Sequence, residues 1–209
     1  MILSGNLTRT TFLKQVSIFA LALFMFGTGC NQARSLSRTA ASEESKSISW
    51  KTSIVGEEEK GEPLVISGRI LAPDGLTPLG GMTLYVYQTD AAGVYTTSGG
   101  DNRGTRIHGV MRTGVDGKYE FRTVRPGSYP GSRQPQHIHA YLSGPGYPEY
   151  WIDEYHFADD PFISEDVRKQ YAGKGNLSSL LTVTQDADGV WRGTRDIVAE
   201  RCSRNCTGR

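Results

Sequence analysis

The chain has 209 residues and a formal net charge of +1, with lysines and arginines scattered among the acids. That length supports one domain with a proper core and argues against a second full one, and the lack of a basic stripe excludes a nucleic-acid binder. Its 25 glycines and 10 tyrosines, with many Thr and Val, lean toward strands and turns.

In chain order, Arg9 and Lys14 precede the apolar run "VSIFALALFMF" (16–26). It is too short to span a bilayer and has the length of a signal-peptide core, so residues 1–30 read as an export signal. The run closes on "GTGC", whose small residues before Cys30 are similar to the cleavage box of a bacterial lipoprotein. Two readings stay open: a lipid anchor on Cys30 in the cell envelope, or ordinary cleavage and a periplasmic or secreted product. "TRTTFLK" (8–14) is similar to a twin-arginine signal with Thr10 at the second arginine, which leaves the export route open. Residues 31–61 are polar and rich in Ser and Glu, and read as a flexible tether on which Trp50 and Ile54 are the groups able to pack down. In the tail (201–209), Cys202 and Cys206 are read as a disulfide closing a small loop, with a two-thiol metal site as the alternative.

From Glu62 to residue 200 short strands alternate with turn chemistry. "PLVISGRIL" and "MTLYVYQTD" alternate apolar and polar positions, and "HIHAYL" and "YWIDEYHF" supply strands on either side of "SGPGYPEY". Asp116-Gly117 and Asp188-Gly189 each predict a hairpin turn, because this dipeptide tolerates positive φ. "SEDVRKQYA" (164–172), opened by Ser164 and two acids, predicts a single short helix. The expected fold is all-β: a β-sandwich of mostly antiparallel strands with long loops.

In "RQPQHIHAYLSG" (133–144), His137 and His139 share one face of a strand while Ile138 takes the other. Side-by-side imidazoles suit a metal and equally suit a surface strand. Tyr129 in "RPGSYPG" and Tyr95 beyond the Gly turn of "QTDAAGVYTT" are, taken singly, packing or hydrogen-bonding phenols.

The order and spacing of "GRILAPDGLTPLGG", "YVYQTDAAGVY", "RTGVDGKYEFRTVRPGSYP" and "HIHAYLSGPGYP" resemble the intradiol ring-cleaving dioxygenases over about residues 62–200. The resemblance implies a non-haem Fe(III) enzyme that uses dioxygen to open a catechol-type ring between its hydroxylated carbons, giving a muconate-type diacid. It further implies that Tyr95, Tyr129, His137 and His139 hold the iron, with Tyr129 displaced by substrate and free to take a proton. Two phenolates are hard anionic donors that favour a trivalent, oxygen-loving ion.

The chain departs from the family pattern in places. Gln134 stands where relatives carry an arginine three residues before the first histidine, and Arg133 lies one step back, so both are candidate catalytic residues with Tyr129. Glu154 stands where relatives often carry glutamine. His108 and His156 fall outside the ligand positions and read as hydrogen-bonded or exposed strand histidines. The rival reading is a surface-tethered, transthyretin-like or carboxypeptidase-regulatory-like binding sandwich without catalysis, which the same strand pattern would suit.

Overall fold

The computed structural model describes residues 48–97 and 101–201. The export signal, Cys30, the first part of the tether and the Cys202–Cys206 pair lie outside the described residues.

Among the described residues, eleven strands form two mixed sheets. The first has the order β1 (Lys51–Ser53), β5 (Lys118–Val124), β2 (Pro63–Leu71), β10 (Trp191–Thr194), β9 (Thr184–Gln185), with β11 (Ile197–Val198) also pairing β2. The second has the order β4 (His108–Arg112), β3 (Thr83–Tyr87), β6 (His137–Gly144), β7 (Tyr147–Phe157), β8 (Leu180–Leu181). The long ladders are antiparallel, as expected of the sandwich, while β1–β5, β10–β2, β11–β2 and β7–β8 are short parallel pairings.

Alternation along each strand builds the core. Leu64, Ile66 and Ile70 of β2 and Tyr119 and Phe121 of β5 face Leu84 and Val86 of β3, Ile138, Ala140 and Leu142 of β6, and Tyr155 and Phe157 of β7, all within one buried cluster. The buried phenols are satisfied internally: Tyr155 Oη donates to Tyr119 Oη (3.1 Å), which donates to the Arg195 carbonyl (2.6 Å). The predicted helix forms as α1 (Glu165–Tyr171), with the Ser164 hydroxyl accepting from Val167 N.

Two expectations are corrected. Asp116-Gly117 does form a turn, with Gly117 at φ +70°, but it carries the chain from β4 in one sheet to β5 in the other and closes no hairpin. Asp188-Gly189 does join the paired strands β9 and β10. The expected tether also ends earlier than residue 61. Ile54 is in the core, and Arg112 N donates to the Ser49 carbonyl while Glu120 N donates to that of Trp50. Backbone pairing thus ties this polar segment to an edge of both sheets, which a hydropathy pattern cannot reveal.

Buried Gln88 joins the ends of β3 and β5. Its amide nitrogen donates to the carbonyls of Val124 (2.9 Å) and Thr89 (3.1 Å), and its oxygen accepts from the Thr123 hydroxyl (3.0 Å). Gln88→Leu would keep the bulk and orphan these partners, at a cost of about 3 kcal/mol. Urea unfolding should show that loss; a change below about 1 kcal/mol would mean that water replaces the bonds.

Candidate functional site

Two loops leave the Gln88 clamp side by side. Their backbones touch: a Cβ on Gly93 would meet the Ser128 carbonyl oxygen at 1.9 Å, and one on Gly127 would meet Ala91 O and Gly93 N at 2.5 Å. Asp90 fastens them, its carbonyl accepting from Gly93 N (3.0 Å) and Gly127 N (2.8 Å) and its carboxylate accepting from Ala92 N and Val94 N. Gly93 also sits at φ +79°, which side-chain-bearing residues avoid. This close approach leaves Tyr95 at the exit of one loop facing Tyr129 at the exit of the other.

Beside them β6 presents His137 and His139 on the face opposite its core residues Ile138 and Ala140. The four rings meet at their polar atoms. Tyr95 Oη lies 3.1 Å from Tyr129 Oη, Tyr129 Oη lies 3.0 Å from His137 Nε2, and the two histidine Nε2 atoms are 3.2 Å apart. Tyr95, Tyr129, His137 and His139, singled out from sequence, are therefore one cluster.

The outward nitrogens fix what the inward ones can do. His137 Nδ1 lies 2.7 Å from the Pro135 carbonyl, which can only accept, so that nitrogen carries the proton and Nε2 of the neutral ring offers a lone pair. Burial lowers the His137 pKa and favours that neutral form. His139 Nδ1 faces Glu154 Oε1 at 3.4 Å, long for a hydrogen bond but well placed for a carboxylate to hold the proton on that nitrogen. Two lone pairs then face each other across 3.2 Å beside two phenol oxygens. Such a donor set, two oxygens and two nitrogens with both imidazoles oriented from behind, fits a metal cation. Burial, and secondarily the contact with Tyr129, pushes the Tyr95 phenol well above its ordinary range when no cation is bound.

Glu154 reaches this cluster through a bulge in β7. Ile138 pairs with Tyr155 and Ala140 with Ile152, so two residues of β7 oppose the single His139. The extra residue reverses the alternation, turning Glu154 and His156 to the outer face and Tyr155 into the core. Contact with His139, above all, holds the Glu154 carboxyl at about 2, and its other oxygen lies 3.9 Å from His156 Nε2. His156 lies opposite His137 in the ladder and is a partly buried neighbour of the cluster rather than an exposed strand histidine. Sequence reading missed this because a bulge has no periodicity signal. It also missed Tyr87 and Trp151, which sandwich His139: Tyr87 stacks on it at 4.6 Å and Trp151 meets it edge-on at 4.9 Å.

Two candidates are not brought in. Arg133 and Gln134 are exposed, and the Arg133 guanidinium lies 5.3 Å over the Phe162 ring. Neither contacts the four rings among the described interactions. Residues 131–134 run as an exposed loop, free to turn charged side chains to water, so sequence adjacency to His137 does not carry them inward. The buried arginine nearby, Arg125, is occupied by Asp159 (2.7 and 2.9 Å) and Gln136 (3.1 Å).

The Dioxygenase family profile matches residues 38–200. Over 127 residues the chain is 29% identical to the protocatechuate 3,4-dioxygenase beta chain of Burkholderia cepacia, covering 56% of this chain and 53% of that one. Over 150 residues it is 31% identical to the hydroxyquinol 1,2-dioxygenase of Rhizobium sp. (strain MTP-10005), covering 64% and 48%. The chain thus spans about half the length of these curated relatives. Among solved structures it is similar to the dioxygenase domain of a dioxygenase carbohydrate-binding protein fusion from Streptomyces sp. SirexAA-E, with a TM-score of 0.56, 29% identity and coverage of 72% of this chain and 87% of that one. Catechol 1,2-dioxygenase from Pseudomonas arvilla C-1 shares the fold, with a TM-score of 0.58 at 18% identity and coverage of 77% and 60%. With the profile matched across nearly all of the described residues, the chain belongs to the intradiol ring-cleaving dioxygenase family.

Proposed function

We propose that the protein is a non-haem Fe(III) dioxygenase that opens a catechol-type ring between its two hydroxylated carbons with dioxygen, yielding a muconate-type diacid. The observation that carries this reading is the convergence of two phenol oxygens and two imidazole nitrogens within 3.0–3.2 Å of their neighbours. Tyr95, Tyr129, His137 and His139 are the residues that would hold the ion. Ferric iron held there would supply the chemistry that side chains lack, making a bound catecholate reactive toward dioxygen.

The chain's own residues orient and move protons. Pro135 O and Glu154 keep a proton on the outward Nδ1 of each histidine, so both Nε2 atoms stay free to donate electron pairs. Tyr129 stands on a loop rather than a strand and touches both Tyr95 and His137. Its oxygen is the atom best placed to accept a proton from a catechol hydroxyl as substrate enters. Tyr87 and Trp151 fix the His139 plane from two sides and exclude water from it. Export, with a lipid anchor at Cys30, is part of the same proposal and rests on the leader sequence.

Four outcomes test this. Protein lacking residues 1–30 should be red to burgundy from tyrosinate-to-iron absorption and carry about one iron per chain. Tyr95→Phe should bleach much of that colour and Ile138→Val little, since Ile138 points into the core; colourless protein that takes up no iron would refute the site. Glu154→Gln keeps the shape and removes the charge behind His139, and chelator competition should show iron held about tenfold more weakly. Cys30→Ser should move the protein out of the membrane fraction, and unchanged fractionation would remove the anchor.

A further inference from the structure

The outer face of the second sheet carries an aromatic row that continues away from the cluster. Register places Tyr87 opposite His139, Tyr85 opposite Tyr141, and Tyr141 opposite Trp151. All of these point outward, because the residues alternating with them, Leu84, Val86, Ala140, Leu142 and Ile152, are buried. Two residues along β6 is roughly 7 Å, so Tyr141 lies about one ring's width beyond His139. Trp151 bridges that interval, edge-on to His139 at 4.9 Å and to Tyr141 at 5.0 Å.

Trp151 is nevertheless 36% exposed. Trp151 is therefore partly open to solvent while in contact with the ligand cluster, so it offers apolar surface to a ring bound beside that cluster. At the rim, the Arg103 guanidinium lies 4.2 Å over Tyr141 and pairs with Glu149 at 2.7 Å. One face of Tyr141 is thus already covered by a flat cationic group, which an aryl ring would meet or displace. The ion pair is partly exposed and so readily rearranged.

We infer that Trp151 and Tyr141 form a subsite for a second aromatic ring, so that the preferred substrate is a catechol bearing an aryl substituent rather than a single bare ring. This rests on the catechol dioxygenase reading above and adds to it the class of substrate. The catechol end occupies the four-ring cluster, and the aryl group lies along the row against Trp151, with Arg103 beside it. Aromatic contact of this kind contributes about 0.5–1.5 kcal/mol beyond area burial, a factor of roughly two to ten.

The test uses the iron-loaded protein with dioxygen excluded, titrated calorimetrically with catechol and with 4-phenylcatechol. The wild type should bind 4-phenylcatechol about tenfold more tightly than catechol. Trp151→Ala should reduce that preference below about twofold, and Trp151→Phe should retain most of it. No preference in the wild type, a preference that survives Trp151→Ala, or an equal loss of both ligands in Trp151→Ala would overturn the subsite; the last would make Trp151 a support for His139 only. If the wild type neither binds catechol nor opens it once dioxygen is admitted, the dioxygenase reading itself fails, and the subsite with it.

Discussion

A strand shows alternate residues to alternate faces, and the site depends on one strand keeping that rule and its neighbour breaking it once. Because β6 alternates strictly, His137 and His139 face outward while Ile138 and Ala140 complete the core. Without its bulge, β7 would send Tyr155 outward and Glu154 and His156 inward. The core would lose the Tyr155–Tyr119–Arg195 hydrogen-bond chain, and His139 would lose the carboxylate behind it. One inserted residue therefore serves packing and chemistry together.

The tyrosines are positioned by different means. Neither Tyr95 nor Tyr129 lies on a strand, so no ladder fixes them. Their loops instead lie against each other at glycine contacts too close for any side chain, and both are rooted at the Gln88 clamp and fastened by Asp90. Strand-borne histidines give a rigid half of the site. Loop-borne phenols give a half that can yield, as the proton-accepting part proposed for Tyr129 requires.

Much of this was legible in sequence. Alternation gave the strands and the shared face of His137 and His139, Ser164 gave the helix start, and family resemblance brought in both tyrosines. What was hidden was nonlocal. The Asp116-Gly117 turn reads the same whether it closes a hairpin or passes between sheets, because turn chemistry reports local φ and not which strands pair afterwards. Residues 49–54 join the fold through backbone hydrogen bonds, which leave no trace in polar side chains. Arg133 is a related case: nearness to His137 along the chain says nothing of direction once the residue stands on an exposed loop, where it lies over Phe162.

The cluster is also a place where local consistency fails, and the failure is informative. In the core, the buried Tyr119, Tyr155 and Gln88 each have hydrogen-bond partners. At the four rings, two imidazole lone pairs face each other and a partly buried phenol is held far from ionising. A sequence selected for stability alone would relieve this with apolar side chains of similar volume, at little cost to the sheet. A multivalent cation would relieve both terms: it separates the lone pairs, stabilises the phenolates and leaves His137 Nδ1 on the Pro135 carbonyl and His139 Nδ1 facing Glu154. The fold thus holds in place an arrangement that is unfavourable by itself, and the free energy of cation binding is the term that would compensate it.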